Sequence, residues 1–250
     1  MTPFLFVTDL DNTLVGDRAA LETLNQRLSQ HRQEFGTKIV YATGRSRFLY
    51  QQLTEEQTLL HPDALVASVG TAIYPNPDED TLDPQWVEIL SPGWNRDAIL
   101  AIAANYDALS PQSDTEQGEF KASYHLAQDA APEALPALES ALTEQGLNIQ
   151  LVYSGAKDLD ILPKNGNKGL ALEFLQQKWG FSPERTVACG DSGNDIALFA
   201  QRTSKGIIVG NAMSELRQWY EDNRTDDLYF ADAFYSGGIL EGLAHFDFIS

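Results

Sequence analysis

The residues best suited to chemistry are two carboxylates two positions apart. Asp9 and Asp11 stand in Asp9-Leu10-Asp11-Asn12-Thr13, directly after the apolar run at 4–8. At a strand end both would lose hydration and repel each other unless a cation sat between them. Mg2+ meets that need, because it takes oxygen ligands and keeps places for water and substrate oxygens. A polar turn with Asp as a helix cap would also accommodate the pair, so the pair alone does not decide. Three further motifs carry chemistry. Ala42-Thr43-Gly44-Arg45-Ser46 joins a hydroxyl, a glycine that admits close backbone approach, and a guanidinium suited to phosphate or sugar oxygens. Asn167-Lys168-Gly169 sets a lysine at a helix start, where its charge opposes the helix dipole. That local conflict favours a role as a clamp on a phosphoryl group. Gly190-Asp191-Ser192-Gly193-Asn194-Asp195 gathers two aspartates and an asparagine in a glycine-bearing loop.

These motifs need strand ends to converge. Short apolar runs at 4–8, 38–42, 64–69, 186–189 and 207–209 are continuous rather than alternating, which suits parallel strands covered on both faces. Helical patterns lie between them. Asp17 is placed to cap a helix carrying Leu21, Leu24 and Leu28, and Ser46 one carrying Leu49 and Leu53. Later helices are expected over 168–179, 195–201, 214–220 and 237–245. Strands alternating with helices predict a doubly wound, Rossmann-like α/β core, in which ligands bind at the carboxyl ends of the strands.

The middle of the chain reads differently. Residues 75–84 are turn-rich and acidic, and beyond them helical patterns near 95–106 and 132–145 separate alternating runs. In residues 120–126, Phe120, Ala122, Tyr124 and Leu126 share one face of a strand, and Lys121, Ser123 and His125 the other. In 157–162, Asp158 and Asp160 oppose Leu159 and Ile161. This predicts an antiparallel sheet with helices on one face. The expected division is a core of residues 1–82 and 162–250 with an inserted α+β cap at 83–161. Residues 78–83 and 163–166 are the expected hinges.

The four motifs in this order resemble the haloacid dehalogenase superfamily of phosphatases, and the resemblance covers essentially the whole chain. It implies that Asp9 is a nucleophile forming an aspartyl-phosphate and that Asp11 is the acid and base. It further implies that Mg2+ is held by Asp9, the Asp11 carbonyl and Asp191, with Asp195 assisting through water. Thr43 and Lys168 would hold phosphoryl oxygens, with Gly44, Arg45 and Asn194 beside them. More narrowly, Ser110-Pro111-Gln112-Ser113, residues 121–126 and 157–163, and Ala244-His245-Phe246-Asp247-Phe248 resemble the sucrose-6-phosphate phosphatases of photosynthetic organisms, in their short bacterial form. That likeness points to hydrolysis of sucrose 6-phosphate, the last step of sucrose synthesis. Sugar hydroxyls need many oriented donors and acceptors, and Gln112, Lys121, His125, Lys157, Asp158 and Asp160 supply both. A wet sheet face is the competing reading of these residues.

Other readings remain open at this point. They are a phosphatase of the same cap type acting on a mannosyl, trehalose or hexose phosphate, a non-enzymatic phospho-acceptor domain, and a metal-binding scaffold. The 250 residues carry 17 Lys and Arg against 36 Asp and Glu, a net charge of -19. Such a surface repels nucleic acid and anionic membranes, so neither is an expected partner. It also repels a phosphorylated substrate, which requires local positive charge or a metal at the site. No apolar run approaches a membrane span. The residues up to Val7 show no basic leader or cleavage site, so no signal peptide is expected. With one cysteine, Cys189, the chain suits a reducing cytoplasm. The expected partner is a small-molecule sugar phosphate, and the expected state a monomer. Contact between the acidic surface and a sucrose-phosphate synthase is left open.

Overall fold

The computed structural model describes residues 2–249; Met1, the first residue of the stretch examined for a signal peptide, lies outside them. The chain runs β1 (Leu5–Thr8), α1 (Arg18–Phe35), β2 (Lys38–Ala42), α2 (Arg47–Glu56), β3 (Ala64–Ala67), β4 (Ala72–Tyr74) and α3 (Pro84–Leu90). Then come α4 (Arg96–Ala103), β5 (Leu109–Pro111), β6 (Ala122–Leu126), α5 (Ala131–Glu144), β7 (Ile149–Ser154) and β8 (Asp158–Pro163). It ends with α6 (Lys168–Trp179), β9 (Thr186–Gly190), α7 (Ile196–Ala200), β10 (Lys205–Ile208), α8 (Ser214–Asn223), β11 (Leu228–Phe230) and α9 (Tyr235–His245).

The central sheet has the order β11-β10-β9-β1-β2-β3-β4. All neighbours are parallel except β3 and β4. The continuous apolar runs follow from burial of both faces. Phe4 and Phe6 face α1, α2 and α9 through Leu24, Leu53 and Leu243. Leu5 and Val7 face the other way, toward α3, α6, α7 and α8 through Trp86, Leu172, Leu198 and Leu216. The chain winds outward from β1 through β2 and β3, then resumes at β9 on its other side. The strand order therefore reverses at β1, and the carboxyl ends of β1, β2 and β9 meet there, where open α/β sheets bind ligands.

Local signals set the helix ends. Asp17 accepts from the Ala19 and Ala20 N–H groups to start α1, and Ser46 accepts from the Leu49 N–H to start α2. The run at 64–69 is not one strand. It ends at Ala67, and Ser68 and Val69 turn through left-handed φ of 53° and 60°. Val69 is apolar because it is buried, not because it is extended.

The second sheet is antiparallel, in the order β5-β6-β8-β7. Ala122, Tyr124, Leu126, Leu159 and Ile161 pack under α4 and α5 in a separate core with Ile99, Leu138 and Leu142. Phe120 departs from the expected alternation: it joins the central-sheet core and packs on Trp94. The region assigned to the insertion also needs a correction at its start. Asp83 is buried, caps α3 and is ion-paired to Lys178 of α6, while Trp86 and Leu90 pack on the central sheet. Residues 78–83 are thus pinned to the core at Asp83. The chain crosses to the second sheet after α3, where the Asn148 N–H donates to the Gly93 carbonyl. It returns after β8, where the Gln150 amide donates to the carbonyls of Pro163, Lys164 and Gly166.

Candidate active site

Asp9 follows β1, with its N–H donating to the Cys189 carbonyl of β9 at 3.0 Å. Asp191 follows β9 on the adjacent strand. Lys168 opens α6, which Asn167 caps, and its side chain is completely buried. Its Nζ donates to Asp9 Oδ1 and to Asp195 Oδ1, both at 2.7 Å. The conflict between Lys168 and the helix dipole is thereby resolved by two carboxylates. Asp195 is fully committed to the protein. Besides Lys168 it accepts from the N–H groups of Asp191 and Ser192 at 3.0 and 3.1 Å, folding the loop around itself. Gly190 permits this, because a Cβ there would lie 2.5 Å from the Asp195 Cβ. Thr13 Oγ1 donates to Asp191 Oδ1 at 2.9 Å and ties the first motif to the last.

Burial dominates the electrostatics. It raises the Asp9 carboxyl to about 8, with Lys168 opposing and Asp195 and Asp191 adding to the rise. It raises Asp191 to about 7, assisted by Asp195. Burial disfavours charge on Lys168 too, but Asp195 and Asp9 overcome it, and the ammonium is held charged. Oxygens of Asp9, Asp191 and Asp195 lie within 4.8 Å of one another. Three buried carboxylates against one lysine form a hard, oxygen-only donor set with excess negative charge, which fits a divalent cation such as Mg2+. Asp9 and Asp191 have oxygens to offer. Asp195 orients the loop through Oδ2 and shares Oδ1 with Lys168.

Asp11 points elsewhere. Arg45 grips its carboxylate with two bonds, Nε to Oδ2 and a terminal nitrogen to Oδ1, each 2.7 Å. That bidentate bond raises the guanidinium above its usual pKa. Thr43 is buried beneath, its hydroxyl accepting from the Arg45 N–H at 3.1 Å. Gly44 is open toward Asn194, whose Oδ1 is buried without a protein partner.

A cleft of about 480 Å³ lies over these groups, lined among others by Asp9, Asp11, Gly44, Arg45, Asp191 and Asn194. Its roof comes from the second sheet: Glu116, Asp158, and Ser154 and Gly155 at the tip of the β7–β8 hairpin. Of the expected sugar-binding residues, Asp158 reaches the cleft wall. Gln112 donates to it at 3.1 Å, His125 Nδ1 lies 3.1 Å from it, and Lys157 Nζ lies 3.7 Å away. Lys121 is buried behind, 3.4 Å from Asp160 and 3.9 Å from Glu116. Ser123 donates to Asp160 at 2.6 Å. Lys121 and His125 thus lie on one side of β6 in different settings, one buried and one exposed. Sequence reasoning missed Thr13, Glu116, Ser154, Met213 and Glu215. Thr13, which holds Asp191, stood inside the first motif, but the cleft-lining Glu116, Ser154, Met213 and Glu215 carry no local signal.

A profile of the sucrose-6F-phosphate phosphohydrolase family matches residues 2–247. The chain belongs to that family. With it comes membership of the haloacid dehalogenase superfamily, in keeping with the fold and the four motifs. Among solved structures, the sucrose-phosphatase of Synechocystis sp. PCC6803, in complex with sucrose and phosphate, superposes with a TM-score of 0.89 at 43% identity, covering 99% of each chain. A probable sucrose-phosphatase of Arabidopsis thaliana is 38% identical over 97% of this chain and 59% of its own length. The chain therefore spans about six tenths of that plant relative. The mannosylfructose-phosphate phosphatase of Agrobacterium fabrum is 33% identical over 96% of both chains. The relatives of this chain thus differ in the sugar phosphate they are named for.

Proposed function

We propose that this protein is a Mg2+-dependent phosphomonoesterase that hydrolyses sucrose 6-phosphate to sucrose and phosphate. The observation that carries this reading is the shared cleft. Its floor holds Asp9 and Asp191, with Lys168 and Asp195 buried behind them, and its roof is a polar surface around Asp158 and Glu116. The family and the Synechocystis relative, with its sucrose and phosphate, support the choice of sugar.

In this mechanism an Asp9 carboxylate oxygen bonds to phosphorus as the bond from phosphorus to the sugar oxygen breaks. Asp11 gives that oxygen its proton. Asp11 then takes a proton from the water that attacks the aspartyl-phosphate, which frees Asp9 and phosphate. Lys168 and Thr43 stabilise the non-bridging oxygens, where transition-state charge must be met. Mg2+, held by Asp9, Asp191 and the Asp11 carbonyl, would neutralise phosphoryl charge and keep Asp9 ionised. Arg45 engages both Asp11 carboxylate oxygens, so Asp11 is free to reach the leaving oxygen only after Arg45 exchanges it for substrate oxygens. Gln112, Lys121, His125, Lys157 and Asp158 bind the sugar, and the β5–β8 sheet with α4 and α5 works as a cap over the core. A cytoplasmic setting suits the single buried thiol of Cys189.

A second reading, a phosphatase of another glycosylated sugar phosphate, is favoured by the full-length match to the mannosylfructose-phosphate enzyme. One panel separates the two. Phosphate release with Mg2+ is measured on sucrose 6-phosphate, mannosylfructose phosphate, trehalose phosphate and hexose phosphates, for wild type and Asp9→Asn. The proposal expects the highest kcat/KM on sucrose 6-phosphate and loss of all activity in the variant. A higher value on mannosylfructose phosphate selects the second reading.

A further inference from the structure

The loop after the nucleophile is held from both sides. On its inner side, Asp9 bonds Lys168 and Thr13 bonds Asp191. On its outer side, residues 12, 14 and 16 meet the segments that follow β10 and open α9. The Asn12 carbonyl accepts from Asn211 Nδ2 at 2.7 Å. The Leu14 carbonyl accepts from the Ser236 hydroxyl. Gly16 lies flat on the Tyr235 ring, so that a Cβ there would come within 2.4 Å of it.

Asn211 is central to this arrangement. The same carboxamide that donates to Asn12 accepts from the Tyr235 N–H at 2.9 Å. One neighbour is an acceptor and the other a donor, so only one orientation of the amide satisfies both. Both neighbours are strained: Asn12 has φ 59° and Tyr235 φ 53°. Left-handed residues other than glycine persist only where their surroundings hold them. The φ of Asn12 sets the direction of the peptide that carries the Asp11 carbonyl, immediately after the second aspartate of the first motif. Asn211 itself does not line the cleft.

We propose that Asn211 is a positioning residue for the reaction. By bridging the Asn12 carbonyl and the Tyr235 N–H it fixes the turn of the Asp9–Thr13 loop, and with it the register of that loop against Asp191. This rests on the reading of Asp9 as nucleophile and of the loop as a metal-holding element.

The test compares Asn211→Ala and Asn211→Asp with wild type, reading kcat, KM and, separately, Mg2+ affinity of the substrate-free protein by calorimetry. Asp keeps the acceptor for the Tyr235 N–H but sets an oxygen against the Asn12 carbonyl. Both variants should lose about tenfold to a hundredfold in kcat with KM within about twofold of wild type, and about tenfold in Mg2+ affinity. Recovery of kcat and Mg2+ affinity by Asp would mean that the amide serves only to anchor α9, and would overturn the proposal. So would an Ala variant within twofold of wild type on both measures. If Ala does not fold, the Asp variant decides alone. Asp9→Asn is run alongside. Activity remaining there overturns the nucleophile reading, while the Mg2+ affinity of Asn211→Asp still decides whether Asn211 positions the loop.

Discussion

At the scale of residues, the site is a set of charges that do not balance without a cation. Asp9 and Asp191 have carboxyls raised to about 8 and about 7, first by burial and then by Asp195. Because these values exceed the ordinary carboxyl pKa, the metal-free fold binds more protons than the unfolded chain. Its stability from these groups is fully present near pH 4 and is lost as pH rises through about 7 to 8. Mg2+ must displace those protons, so it binds better as pH rises. The expected outcome is a rise in Tm on adding saturating Mg2+ that is several degrees larger at pH 8 than at pH 6, read by differential scanning fluorimetry. Equal shifts at both pH values would contradict the assignment of Asp9 and Asp191. The four motifs made Asp9, Asp11, Thr43, Lys168, Asp191 and Asp195 visible in the sequence, because each sits in a short run of unusual chemistry. Glu116 and Asn211 were not visible. Their importance comes from what lies opposite them in space, and nothing within a few residues of either records it.

At the scale of elements, selectivity is proposed to lie in the antiparallel sheet that roofs the cleft. Lys121 is buried against Asp160 and Glu116, and His125 is exposed beside Asp158. Lys121→Ala leaves two acidic groups without their cation, and His125→Ala removes a partner of Asp158. Both should lower kcat/KM on sucrose 6-phosphate by tenfold or more, and on a small aryl phosphate by less than about twofold, because remote binding energy is used to assemble the site. Equal losses on both substrates would reject that coupling. The elements were legible in proportion to their length. Long amphipathic helices and runs buried on both faces have a period to read. The three-residue strands β4, β5 and β11 have none. Helix α3 did carry a start signal, an Asp83 cap followed by Pro84 at the first helical position, but it was masked by the acidic turn before it.

At the scale of the molecule, a net charge of -19 surrounds a site proposed to take an anion. Lys168 is buried and Arg45 is already paired with Asp11, so little free positive charge steers substrate from afar. Raising the ionic strength from about 10 to about 150 mM shortens the screening length from about 30 to about 8 Å. Measured at saturating Mg2+, kcat/KM on sucrose 6-phosphate should therefore rise a few-fold over that range; a steep fall would point to an attractive field. Among the described residues, no helix is long and apolar enough to cross a membrane. The central claim remains that Asp9, at the point where the strand order reverses, takes the phosphoryl group from the sugar. It is tested most directly by mixing the protein with Mg2+ and sucrose 6-phosphate labelled at phosphorus, quenching in acid within one turnover, and mapping the label. Label is expected on the peptide that contains Asp9, decaying at the turnover rate, and none in Asp9→Asn, whose turnover should be at least about a thousandfold slower. An unlabelled protein during active turnover, or an Asp9→Asn variant that still turns over at a tenth of the wild-type rate, would contradict it.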